Sequence, residues 1–236
     1  MNRSPEGTLV RVPAGGVTLE GNLAVAPDAR GIVSFAHGSG SSRHSPRNRA
    51  VARALREGGL ATLLLDLLTP DEEMVDDATG ELRFNIGLLA ERLVAATDWL
   101  REVEETRRLS VGYFGASTGG GAALVAAAQR PNVVHAVVSR GGRPDLAGAA
   151  LSRVRAATLL IVGGNDSLVL ELNRLAFARL RCEKKLVVIP GATHLFEEPG
   201  ALEEVARLAR DWFLEHLARP APGVRPGRRT EPEALS

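Results

Sequence analysis

Ser117, Asp166 and His194 are a hydroxyl, a carboxylate and an imidazole, and each follows directly on an apolar run of the chain. Together these three groups can cleave a carbonyl compound. A serine hydroxyl is a weak nucleophile at neutral pH, so an imidazole must take its proton during attack and return it to the leaving group. A carboxylate behind the imidazole fixes the tautomer and stabilises the imidazolium. Ser117 lies in Gly115-Ala116-Ser117-Thr118-Gly119, a G-x-S-x-G pattern. A strand that turns straight into a helix has little room two residues before and two residues after the exposed serine, which is why small residues stand there. That turn also aims the Thr118 amide and the positive end of the following helix at one point, where an anion forming on substrate would sit. The second oxyanion donor is expected from the loop His37-Gly38-Ser39-Gly40, with the Ser39 amide as the candidate.

Each assignment has a plainer counterpart. Ser117 could cap a helix, and Asp166 could open the helix that follows it, since both residue types do this well. Asp145 is the competing acid, and His37 could brace its own loop instead of touching substrate. His37, Gly38, His44, Arg140 and Arg143 are the candidate substrate contacts; the two arginines could hold an anionic group by paired hydrogen bonds. His135 and His216 read as structural. Residues 69–84 carry six acidic side chains with Met74 and Phe84 among them, and read either as a flap over the pocket or as a solvated loop. The glycine run does not fit a dinucleotide fingerprint: Ser117 stands where the second glycine is required, and the next strand carries no acid for a ribose. No His, Cys, Asp or Glu cluster has zinc-ligand spacing, so no metal or cofactor is expected.

Short β-branched runs must position these groups, with helical segments between them. "TLVRVP" and "VTLEGNLAVA" flank Gly15-Gly16 and predict an antiparallel hairpin. Further strands are expected at 31–36, 60–68, 109–115, 133–139, 157–164 and 184–191. Helices are expected at 45–59, 85–105, 119–130, 167–180 and 201–218, with a short one near 144–152. Alternation of this kind predicts an α/β fold: about eight strands in a mostly parallel sheet, helices on both faces and no large cap. In such a sheet ligands meet the carboxyl ends of the strands, where all the candidate residues fall.

The chain has 236 residues, 44% hydrophobic and 24% charged, with a net charge of +1. These values suit one domain over 1–218 and give no reason to expect nucleic acid or an anionic membrane as partner. Residues 219–236 are rich in Pro, Gly and Arg and are expected to form a disordered tail. Cys182 is the single cysteine. There is no leader-like apolar stretch at the start and no run long enough to span a bilayer, so a cytoplasmic location is expected.

The stretches "FAHGSGSSRHSPRN", "GYFGASTGGGAAL", "LLIVGGNDSLV" and "IPGATHLF" resemble the α/β-hydrolase superfamily, and within it the small, capless dienelactone-hydrolase-like family. The resemblance covers roughly residues 8–218. It implies a nucleophile, an acid after the seventh strand and a histidine after the eighth, which fall on Ser117, Asp166 and His194. The chain departs from dienelactone hydrolases proper in having serine in place of cysteine at the elbow, and no glutamate in the loop after the third strand. The expectation is a cofactor-free serine hydrolase of small to medium carboxylic esters. A lactone, a thioester or an organophosphorus ester is the alternative electrophile, and a non-catalytic scaffold is the alternative of another class. The partner is a small-molecule ester; a homo-oligomer stays open.

Overall fold

Gly15 and Gly16 adopt φ of 58° and 90°, the left-handed pair that a two-residue hairpin turn needs. They join β1 (Thr8–Ala14) to β2 (Val17–Ala24), with Ala14 opposite Val17. The computed structural model describes residues 7–217; the expected disordered tail at 219–236 lies outside them. After the hairpin come β3 (Ile32–Ala36), α1 (Pro46–Glu57), β4 (Ala61–Leu65), α2 (Pro70–Thr79), α3 (Ile86–Leu100), β5 (Val111–Ala116) and α4 (Thr118–Gln129). Then follow β6 (Val134–Arg140), β7 (Ala157–Gly163), α5 (Ser167–Arg179), β8 (Lys184–Ile189) and α6 (Ala201–Leu217).

The eight strands form one sheet in the order β1-β2-β4-β3-β5-β6-β7-β8. The pairs β1–β2 and β2–β4 are antiparallel; every pair from β4 to β8 is parallel. This is the expected α/β architecture. β3, β5, β6, β7 and β8 are consecutive neighbours running the same way, so the residues that follow them gather along one edge.

Alternation along each strand divides the apolar side chains between two cores. Val111 and Tyr113 face a core shared with α3 and α4, whereas Phe114 faces one shared with α1 and α6. The central strands are buried on both faces, which explains why they read as unbroken apolar runs. Helix starts follow local chemistry. Ser45 accepts a hydrogen bond from the Asn48 amide with Pro46 in the first turn of α1, and Asn85 accepts one from the Leu88 amide to begin α3.

Two segments differ from expectation. Residues 69–84 are not irregular: α2 occupies most of them, followed by a short 3-10 turn at Leu82–Phe84. Thr69 Oγ1 accepts from the Glu72 amide while the Glu72 carboxylate accepts from the Thr69 amide. This reciprocal cap, a proline in the first turn and three acids near the positive helix end all favour a helix. The segment near 144–152 is a 3-10 helix, Pro144–Arg153, interrupted at Gly148, whose φ is 51°.

Candidate active site

The site is built on a crowded turn. β5 ends at Ala116 and α4 begins at Thr118, leaving Ser117 alone to reverse direction, with φ 51° and ψ −123°. A positive φ is strained for any residue with a β-carbon. The flanking glycines are required by close approach. A β-carbon on Gly115 would stand 2.5 Å from the Gly119 carbonyl oxygen, and one on Gly119 would stand 2.2 Å from that of Ala36. Ser117 sits at the helix-cap position, yet its side chain makes no capping hydrogen bond. The plain capping reading therefore fails, and the hydroxyl is left uncommitted.

The loop after β6 wraps this turn. The Ser117 amide donates to the Arg140 carbonyl at 3.4 Å, and the Arg143 amide donates to the Ser117 carbonyl at 2.9 Å. Gly141, at φ 51°, stands against His194: a β-carbon there would be 3.2 Å from the His194 carbonyl oxygen and 3.5 Å from Nδ1. Ser117 and His194 thus flank the same two-residue turn. His194 Nδ1 is 2.6 Å from Asp166 Oδ2. Asp166 occupies the cap position of α5 but likewise makes no capping bond, so its carboxylate serves the imidazole. Among the described residues no hydrogen bond joins the Ser117 hydroxyl to His194. Such bonds are often long in ligand-free sites and tighten when substrate binds. The competing acid, Asp145, is taken up by Arg143, whose Nε and Nη2 donate to it at 2.9 and 2.8 Å.

The loop after β3 closes the other side. A β-carbon on Gly38 would be 3.0 Å from Ser117 Cβ. Among the described residues neither the Ser39 amide nor the Thr118 amide donates to any group, so both are available to a ligand. His37 holds this loop in place. Its Nε2 accepts from the Leu67 amide at 3.0 Å and its Nδ1 donates to the Gly38 carbonyl at 3.0 Å. Both ring nitrogens are therefore spent on backbone, and the ring must be neutral. Burial pushes His37 below the usual 6.5, against the Gly38 bond and nearby Asp66.

A cavity of about 250 Å³ opens beside the elbow, lined by Gly38, Ser39, Thr118, Leu68, Leu89 and, from α2, Glu73. Asp76, Asp77 and Arg83 complete that wall. Asp76 receives the Arg83 amide at 2.9 Å and its Nε at 2.6 Å, tying the end of α2 to the following turn. Burial, then the carboxylates of Asp66 and Asp77, raise Glu73 above the usual carboxylate range. Of the two readings of 69–84, a flap over the pocket and a solvated loop, the cavity lining favours a covering segment, but a helical one; the T-x-x-E cap at Thr69 was the signal of the helix in the sequence.

Among the candidate contacts, Gly38 lines the cavity and His37 reaches it while committed to backbone. His44 is exposed and absent from the cavity lining. Arg143 is paired with Asp145 through Nε and Nη2, at the mouth of the 3-10 helix that follows β6. Arg140 is buried, with no carboxylate beside it among the described residues.

Residues 23–217 match the dienelactone hydrolase family. The chain belongs to that family. A dienelactone hydrolase from Anabaena variabilis ATCC 29413 is 63% identical, with a TM-score of 0.88 over 89% of this chain and 97% of that one. Two Mycobacterium tuberculosis proteins, from strains CDC 1551 / Oshkosh and ATCC 25618 / H37Rv, carry the provisional name phosphoribosyl transferase. They are 60% identical over 213 residues, which is 90% of this chain but 47% of theirs. The chain thus spans about half the length of those curated relatives. A dienelactone hydrolase-like promiscuous phosphotriesterase, P91 from metagenomic libraries, shares the fold at 19% identity and TM-score 0.71, over 89% of this chain and 99% of that one. Family and fold support a hydrolase. No helix among the described residues is long and apolar enough to cross a membrane.

Proposed function

We propose that this family member is a serine hydrolase of small to medium carboxylic esters. The observation that carries the reading is the uncommitted Ser117 hydroxyl on a strained turn, which borders the same loop after β6 as an imidazole already paired to a carboxylate. Ser117 Oγ attacks the ester carbon while His194 Nε2 takes its proton. The oxyanion is received by the Ser39 and Thr118 amides. The imidazolium then protonates the leaving alkoxide oxygen, and the C–O bond breaks to leave an acyl-serine. Water, deprotonated by His194, attacks the acyl carbon, and the proton returns to Ser117 as the acid departs. Asp166 keeps Nδ1 protonated throughout and stabilises the cationic ring.

The test uses a fluorophosphonate probe and the 4-nitrophenyl esters of acetate and butyrate. Labelling and turnover are expected in the wild type and absent in Ser117→Ala. Wild type that neither labels nor turns over favours the scaffold reading, and turnover surviving in Ser117→Ala removes the nucleophile. The chemistry named for P91 makes a phosphotriester the alternative electrophile, and turnover of paraoxon exceeding that of both acetate and butyrate would favour it.

A further inference from the structure

The cavity beside the elbow is lined from one side only. Its wall comes from the loop after β3, Leu68 beyond β4, α2, the turn at Arg83, Leu89 of α3 and the first residue of α4. Neither Asp166 nor His194, nor any other residue of the loops after β7 and β8, belongs to it. Ser39 and Thr118, whose amides are free, both do. In the proposed mechanism the carbonyl oxygen turns to those amides, while His194 must reach the leaving alkoxide oxygen to protonate it. The alcohol limb therefore departs on the histidine side, and the cavity is left to the acyl limb.

Among the charged residues of the wall, Asp76 and Asp77 share Arg83: its Nε donates to Asp76 Oδ2 at 2.6 Å and its Nη2 to Asp77 Oδ1 at 3.2 Å. Glu73 has no such partner. Among the described residues nothing donates to its carboxylate, and Arg43, which pulls on it, is bound to Asp66, Glu20 and Asn22. Burial, then Asp66 and Asp77, oppose its charge. His37, also in the wall, has both ring nitrogens on backbone. Thr118, 2% exposed, lines the same cavity, and its Oγ1 is buried without a partner. Buried polar atoms are almost always hydrogen-bonded, so a wall with an unpaired carboxylate and an unpaired hydroxyl is short of donors. It holds three carboxylates against one guanidinium, so a donor that is also a cation gains most. Leu68 and Leu89 are apolar and suit methylenes between the ester and that cation.

We propose that the cavity under α2 is an acyl subsite for a protonated amine, and that the preferred substrate is an ester whose acyl limb ends in an ammonium held by Glu73. This rests on the ester-hydrolase reading. The ammonium supplies the donors that Glu73 lacks and offsets the acidic wall. Glu73 takes no part in bond making; it selects the limb.

The test compares the 4-nitrophenyl esters of butyric acid, β-alanine and succinic acid, whose acyl limbs end in a methyl, an ammonium and a carboxylate. Their intrinsic reactivities differ, so the readout is how Glu73→Gln changes the ratios of kcat/KM. The ratio of the β-alanine ester to the butyrate is expected to fall about tenfold, mainly through KM. That of the hemisuccinate to the butyrate is expected to rise, and Glu73→Asp to keep part of the ammonium preference. Acetylcholine and its uncharged isostere 3,3-dimethylbutyl acetate place the cation on the alcohol limb, and their ratio is expected to stay the same. Independently of turnover, calorimetric titration of Ser117→Ala should show β-alaninamide binding more tightly than butyramide, with the difference gone when Glu73→Gln is added. An unchanged ammonium ratio, or equal losses on all the esters, overturns the subsite. A fall confined to acetylcholine overturns its acyl placement. If Ser117→Ala still hydrolyses esters, the nucleophile assignment fails, and the titration still decides on Glu73.

Discussion

Ser117, Asp166 and His37 show how one position in the chain can be reserved for chemistry or for architecture by the partners left to its polar atoms. Asp166 stands where a helix cap would, yet its Oδ2 is 2.6 Å from His194 Nδ1. Asp166→Asn keeps the shape but offers an amide nitrogen to Nδ1, favouring the wrong tautomer. On the proposed mechanism kcat falls by ~10⁴ with KM little changed, as steady-state kinetics on 4-nitrophenyl butyrate would show. His37 is the opposite case, since both of its nitrogens bond backbone and its ring is held neutral by burial. Its folded value lies below the unfolded one, so near and below pH 6.5 the unfolded chain binds more protons than the folded chain. The stability His37 contributes is therefore complete above that pH and is lost on acidification, by at most about 1.4 kcal/mol per pH unit. Denaturant titrations at pH 7.5, 6 and 5 should show this loss in wild type and a smaller one in His37→Gln. Equal slopes in the two proteins would mean that the neutral ring is not what the fold requires.

At the scale of elements, α2 converts a stretch of acids into a wall of the cavity. Its hold on the body is narrow: the reciprocal cap between Thr69 and Glu72, and the Glu72 carboxylate on Arg92 at 2.8 Å, with Arg92 also donating to the Ala14 carbonyl. Met74 and Val75 remain largely exposed, so little apolar burial supports the helix. Thr69→Ala should cost about 1 kcal/mol of local stability. Amide exchange across residues 70–79 should then speed up about fivefold while that in β5 does not change. The elements that sequence alone made legible are those with strong apolar period, namely the central strands, α3 and α6. α2 was hidden because six acids over residues 69–84 resemble a solvated loop, and its helix is specified by end chemistry rather than by a buried stripe. Helix and strand limits moved by one to several residues, as at β4, where only Ala61–Leu65 of the apolar run 60–68 pairs as strand. Leu67 and Leu68 lie just beyond it, and the Leu67 amide serves His37 instead.

Across the whole molecule, alternation of strand and helix was enough to predict the sheet and to place Ser117, Asp166 and His194 at one edge of it. The pairing of Arg143 with Asp145 and the isolation of Arg140 were not legible, because the first depends on the turn that opens the 3-10 helix at Pro144 and the second on which face of the sheet the end of β6 presents. The same holds for the layer joining α6 to the sheet. At Gly112 a β-carbon would lie 2.8 Å from Phe213 Cε1, and Phe213 is fully buried. The ring of α6 thus sits on the bare backbone of β5, five residues upstream of Ser117. Gly112→Ala overpacks this contact and should cost about 1–3 kcal/mol; Phe213→Leu leaves a void and should cost a similar amount. Because the two changes fill and empty the same space, the double variant should be more stable than the sum of the single losses predicts, by at least about 0.5 kcal/mol. Denaturant unfolding of the four proteins measures this coupling. Simple additivity would mean that α6 packs on β5 without depending on that glycine, and the approach of helix to strand that supports the elbow would need another cause.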